Sequence, residues 1–334
     1  MKKMLMLFAG IMLLLALSAC GQKSQSDVVS ELNEKLGEMK GYKANAKMTL
    51  KMGTEPQVYN VEIWHKDPSF YRVNLKNEEK DQSQMILKND DGVYVLTPAL
   101  NKSFKFQSEW PENSSQAYLF ESLVKDITED KSAIYKETDK HYVFETKTRY
   151  QNNKMLPYQE ITINKKDLSP VSVKVMDPDK TALVLVEFSK VKFDTTFDKD
   201  SFDMKKNMTS AQLEAPVMAE VQNEGFAVKY PENIGDMNLT EEKEITTEKG
   251  ERVVLTYEGT KSFTLVQEKA EVVQTSVSTN VNGEPVDLGY TVGAMTGNTI
   301  AWTFEGVDYM LASKDLKQEE MIEVARSVGE DPVK

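Results

Sequence analysis

Cysteine is almost absent from this chain of 334 residues: Cys20 is the only one. A single cysteine excludes an intramolecular disulfide, so an exported chain must draw its stability from core burial. Histidine is nearly as scarce, with only His65 and His141. Neither stands in an H-E-x-x-H spacing, and no second thiol could complete a zinc set. His65, beside Trp64, reads as a partly exposed polar residue of a strand. No G-x-S-x-G is present. Gly289, Gly293 and Gly297 fall among Tyr290, Thr291 and Thr296 and read as a loop, not a phosphate cradle. The stretch from Asp194 to Asp203 lacks the ordered D-x-D-x-D-G of a calcium loop. The expectation is a chain with no catalytic residue, no metal and no cofactor, hence not an enzyme.

Basic blocks are missing too. Lys and Arg total 41 against 53 Asp and Glu, for a net charge of −12. The signs alternate along the chain, which argues against nucleic acid and against attraction to anionic headgroups. Beyond the first residues no apolar run is long enough to span a bilayer, which takes roughly 20 residues.

The N-terminus is different. Lys2 and Lys3 precede an apolar run from Met4 to Leu17, the length of a signal-peptide core. Leu17-Ser18-Ala19-Cys20-Gly21 then forms a lipobox, in which the thiol takes a diacylglycerol. Cleavage before Cys20 would leave a lipid-anchored chain at the outer face of the bacterial cytoplasmic membrane.

Downstream, Val28, Val29, Leu32, Leu36 and Met39 recur at helical spacing, with Ser26 or Asp27 as a plausible cap. After Gly41 the period drops to 2: Ala44, Ala46, Met48, Leu50 and Met52 alternate with polar residues, as in a half-buried antiparallel strand. Strand patterns continue to Phe193, with a D-G turn at Asp91-Gly92 and one further helix expected over Ser115 to Lys125. So long a meander tends to curl. Met48, Leu50 and Met52 are expected on its concave side, with Val61 and Ile63 from the next strand and Leu119 and Leu123 from the helix. Together they would line an apolar cavity, while Lys47, Thr49 and Lys51 face water. Seventeen methionines would suit such a pocket or ordinary core packing. Strands and a closing helix, Asp315 to Val328, follow beyond Glu224.

Several motifs carry a resemblance. Trp64-His65-Lys66-Asp67-Pro68-Ser69-Phe70-Tyr71-Arg72, with Trp64, Lys66, Pro68, Phe70 and Arg72 as its marks, resembles a stretch of the LolA-like lipoprotein carriers. Asp91 to Pro98, Leu168-Ser169-Pro170, and Val186-Glu187-Phe188 followed by Phe202 are similar to later motifs of that family, in order. The whole chain also resembles sporulation lipoproteins of Bacillus, and the tail from Trp302 to Val328 resembles a domain of unknown function in exported proteins. The resemblance implies an α+β fold: a curled antiparallel sheet, or incomplete β-barrel, with a helical lid, plus a smaller C-terminal α+β domain. It also implies a lipid or acylated-protein ligand and service in sporulation or envelope assembly. Where the carriers have arginine directly before the motif proline, this chain has Asp67, so shuttling between two membranes is not implied.

The expected organisation is a signal peptide over 1–19, a lipidated start and tether over 20–26, the LolA-like unit over 27–204, a linker over 205–222 and the C-terminal unit over 223–334. Two functions compete: a lipid or acylated-protein binder with an open cavity, and a non-catalytic scaffold or sensor whose interior is filled by side chains and whose partner is an unidentified envelope protein.

Overall fold

The computed structural model describes residues 23–51, 56–78, 83–111, 114–150, 155–214, 226–232, 234–247, 250–272 and 278–329. Its first element is helix α1, Gln25–Glu38. The start is set by Ser24, whose hydroxyl accepts from the Asp27 N–H while the Asp27 carboxylate accepts from the Ser24 N–H, a reciprocal cap. Val28 and Leu32, one turn apart, are its fully buried residues.

The chain then lays down β1 (Gly41–Leu50), β2 (Gln57–Lys66), β3 (Phe70–Asn77), β4 (Ser83–Asn89), β5 (Gly92–Thr97) and β6 (Lys102–Phe106). Helix α2 (Phe120–Glu129) follows, four to five residues later in the chain than the pattern predicts. Strands β7 (Ile134–Glu137), β8 (His141–Lys147), β9 (Tyr158–Asn164), β10 (Pro170–Met176) and β11 (Ala182–Phe193) come next. β1 is a central strand, paired antiparallel with β2 on one side and β11 on the other. Helix α3, Met204–Glu214, lies across the start of the expected linker.

The second part of the chain holds β12 (Asn238–Thr247), β13 (Gly250–Glu258), β14 (Ser262–Lys269), β15 (Thr279–Val281), β16 (Glu284–Asp287), β17 (Val292–Thr296), β18 (Thr299–Phe304), β19 (Val307–Ala312) and helix α4 (Gln318–Ser327). Seven of these strands form a sheet ordered β12-β13-β14-β19-β18-β17-β16. β15 leaves that group and pairs parallel with β6.

The curled, incomplete barrel expected from the sequence does not form. The first sheet has twelve strands in the open order β15-β6-β5-β4-β3-β2-β1-β11-β10-β9-β8-β7, with no pairing between its two ends among the described residues. Closure needs edge strands that share tilt and stagger over a full ladder. Here the edges are β7, of four residues, and β15, of three. The face that a barrel would have enclosed is covered by α1, α2 and the second part of the chain. One continuous apolar cluster therefore runs from Val28 and Ile63 to Tyr290 and Ile322. The opposite face is covered locally by α3, whose Met208 and Ala211 sit with Met85, Leu87, Tyr94, Leu96 and Phe202 in a second cluster.

The glycine-rich stretch also differs from its reading as a loop. Gly293 lies within β17, paired to Val286, and a Cβ there would meet Ile300 and Leu288 at 3.2 Å. The close approach of Ile300 on β18 and of Leu288 leaves little room for a side chain at this position.

Candidate functional site

The residues expected to line a cavity lie together on the helix-covered face. Met48 and Leu50 are 6% and 4% exposed, and Val61, Ile63, Leu119 and Leu123 are buried with them in one cluster. Lys47 and Lys51 are exposed and Thr49 is half-buried. Met52 and Cys20 lie outside the described residues.

Two polar links hold α2 over this face. Tyr42 of β1 donates its hydroxyl to Glu121 at 3.1 Å and accepts the Phe120 N–H at 3.1 Å. His65 lies 3.2 Å from the same carboxylate. Far from being half-exposed, His65 is 4% exposed. It follows Tyr59, Val61 and Ile63 on the inward parity of β2, so the alternation itself held the signal. Further along α2, Asp126 accepts from Ser115 at 2.9 Å, from Gln159 at 2.6 Å and from Arg149. Burial pushes the Asp126 carboxyl above its ordinary range, while Arg149 pulls the other way.

The rest of the face is occupied by the protein's own second part. The Tyr59 hydroxyl shares its one proton between Gln57 Oε1 at 2.7 Å and the Tyr290 carbonyl at 3.1 Å. Gln84 accepts the Val292 N–H at 2.8 Å and donates to the Val292 carbonyl at 3.4 Å. Gln57 reaches the Gly329 carbonyl at 3.2 Å, and Lys102 pairs with Asp308 at 2.6 Å. Tyr290 sits between the two parts, donating its hydroxyl to the Ala325 carbonyl of α4 at 2.7 Å. Burial holds the Tyr118 and Tyr290 phenols well above their ordinary range, and pushes Tyr59 up to about 12. All three therefore stay protonated donors.

Little space remains between the two parts. The main cleft, lined among others by Met48, Tyr59, Tyr118, Tyr290 and Phe304, encloses about 70 Å³. Two smaller spaces beside Tyr118 and Arg326 enclose about 40 and 20 Å³. Small-molecule pockets run to roughly 300–1,000 Å³. Arg326 is 7% exposed and donates to the Asp287 carbonyl at 2.9 Å. Tyr59, Gln84, Tyr290 and Arg326 were not singled out from the sequence as site residues. Apart from Gln57, their partners lie from 35 to 231 residues distant in the chain, beyond the reach of local periodicity.

The motif residues sit elsewhere, mostly on the opposite face. The Arg72 guanidinium pairs with Glu62 at 2.6 Å, donates to Asn207 of α3 at 2.8 Å and lies 4.3 Å from the Trp64 ring. Phe70 packs on Phe202 at 5.7 Å, and the Lys66 ammonium is 4.9 Å from the Phe70 ring. Pro68 lies in the turn between β2 and β3. Arg72 reaches α3 directly, and Trp64 and Phe70 pack against the cluster that α3 completes. The motif residues do not converge on the residues of the expected cavity.

Among the described residues, no group of three or more His, Cys, Asp or Glu could hold a metal ion, and no helix is long and apolar enough to cross a membrane.

The family described as "Sporulation protein YdcC-like" matches residues 1–202. "Sporulation protein YdcC" of Bacillus subtilis (strain 168) is 58% identical over 328 residues, 98% of this chain and 97% of that one. Among solved structures, the complex of Pseudomonas aeruginosa MucA and MucB matches at 12% identity, 90% of this chain, 97% of that chain and a TM-score of 0.33. One chain of the structure of the CwlD amidase from Clostridioides difficile in complex with the GerS lipoprotein matches at 16% identity, 53% of this chain, 98% of that chain and a TM-score of 0.31. On its family match over residues 1–202 and its near-full-length identity to a curated relative, the chain belongs to the YdcC-like family of sporulation proteins.

Proposed function

We propose that this protein is a non-catalytic interaction scaffold of the sporulating cell's envelope, tethered to the outer face of the cytoplasmic membrane by lipid on Cys20. One observation carries this reading above a lipid-carrying one. The apolar face of the long sheet is already covered by α1, α2 and the second part of the chain, with about 70 Å³ left enclosed in the main cleft. An acyl chain would have to displace Tyr290, Phe304 and their neighbours, and would offer nothing to the polar groups of Gln84, Asp287 and Glu305 at the same place. The ordered lipobox at Leu17 to Gly21 supports the tether. The family supports work in sporulation. With the interior filled, recognition falls to the outer surface, and the expected partner is another envelope protein.

The test is a hydrophobic-probe titration of the full chain. The scaffold reading expects no saturable site. A site of one equivalent that is lost in folded Leu50→Glu and kept in Lys51→Glu would replace this reading with a lipid carrier.

A further inference from the structure

Arginine is rarely buried without a carboxylate to pair with. Arg326, in the last turn of α4, is 7% exposed and forms no ion pair among the described residues. Its one hydrogen bond goes to a neutral acceptor, the Asp287 carbonyl, at 2.9 Å. Arg326 lines both of the small spaces between the two parts of the chain, of about 40 and 20 Å³. The Asp287 carboxylate, at the end of β16, belongs to the same walls. One of its oxygens accepts the Gly289 N–H at 2.7 Å, and the other takes no donor among the described residues. A cation and an anion thus face one space without pairing with each other.

Two donors complete the site from the first part of the chain. Gln116, 4% exposed, stands just before α2, and its amide oxygen accepts the Tyr118 hydroxyl at 3.0 Å. That bond fixes the amide, so Nε2 is the end left over, and it donates to no described residue. Tyr150, beyond β8, has a hydroxyl without a partner among the described residues. Burial holds its phenol above the ordinary range, so the proton stays on. Neither of these two donor atoms is sealed from water, and both residues line the larger space. The Arg326 Nε and Nη1 are sealed, so the guanidinium acts on this space through its charge.

Size and charge narrow the ligand. At about 10–15 Å³ for each water, the larger space takes a molecule of a few heavy atoms, far less than an acyl chain. That molecule must bring an anionic acceptor for Gln116 and Tyr150, in the field of Arg326, and a cationic donor for Asp287. A free α-amino acid carries both, a carboxylate and an ammonium on one carbon. The wall left for its side chain, with Pro285 and Ile322, is apolar.

We propose that this cleft binds a small apolar α-amino acid, its carboxylate on Gln116 and Tyr150 beside the Arg326 charge and its ammonium on Asp287. Titration calorimetry of the full chain with L-alanine, propionate and ethylamine tests it. L-Alanine should bind with a Kd of about 1 mM. Propionate and ethylamine each lack one of the two charges and should bind about tenfold more weakly or worse. Tyr150→Phe removes a hydroxyl that no described residue uses, so stability should hold while L-alanine binding weakens about tenfold. Asp287→Asn can still accept the Gly289 N–H and should lose the preference for L-alanine over propionate. The proposal is overturned if L-alanine does not bind at about 10 mM, or if propionate binds as well as L-alanine, which would leave a plain anion site. It is also overturned if Tyr150→Phe and Asp287→Asn both bind L-alanine as wild type does.

Discussion

The hydroxyl of Tyr59, shared with Gln57, reaches the backbone carbonyl of Tyr290 across 3.1 Å, joining residues 231 positions apart. Tyr290 passes the connection on to α4 through the Ala325 carbonyl. A strand in the middle of the long sheet is thereby fastened to the last helix of the chain. The inner face of that sheet is closed by the protein itself.

Removing the hydroxyl alone tests this fastening. Tyr59→Phe should lower unfolding stability by about 0.5–1.5 kcal/mol, the net worth of a hydrogen bond between buried groups. Urea unfolding with unchanged slope is the measurement. No change would mean that Tyr290 is held without Tyr59.

Leu50 and Lys51 are neighbours with opposite fates, one 4% exposed and the other on the solvent side. Leu50→Glu should cost several kcal/mol, because an unpaired carboxylate would be buried. Lys51→Glu should stay within about 0.5 kcal/mol of wild type. Equal effects in thermal unfolding would mean that β1 does not separate a buried face from a wet one.

How much of this was legible in the sequence depended on whether a strand had one dry face. β1 and β2 did, and their period-2 alternation could be read directly. β12 could not: Glu241, Glu242 and Glu244 are exposed and most of its length meets water on both sides, so no alternation was written into it. The three residues of β15 are too few to show a period, yet they decide one edge of the long sheet. Whether a sheet closes depends on its edges, and these came from distant parts of the chain. The filling of the inner face by Tyr290 and Phe304 was illegible for the same reason.

The motif residue Arg72 is assigned here to seating α3. Arg72→Lys keeps the charge but loses the planar fork that reaches Glu62 and Asn207 together. A loss of about 1–3 kcal/mol is expected, with increased proteolysis within Met204–Glu214. Unaltered stability and protection would detach the motif from α3.

Asp126 gives a pH dependence with a defined sign. Burial raises its carboxyl above the ordinary value of 3.8, so the folded chain holds that proton more tightly than the unfolded one. Its contribution to stability is greatest below that value and declines as pH rises through the raised one. Stability of wild type minus that of Asp126→Asn should therefore fall as pH rises above the ordinary carboxylate value of 3.8. A difference that grows as pH rises would contradict the raised carboxyl.

The central claim is that the interior is full. Native mass spectrometry of the protein purified from its own membrane tests it most directly. The account predicts the mass of the chain with the covalent lipid on Cys20 and nothing further bound. A second, non-covalent lipid that survives desolvation in wild type and disappears in folded Leu50→Glu, while remaining in Lys51→Glu, would contradict it.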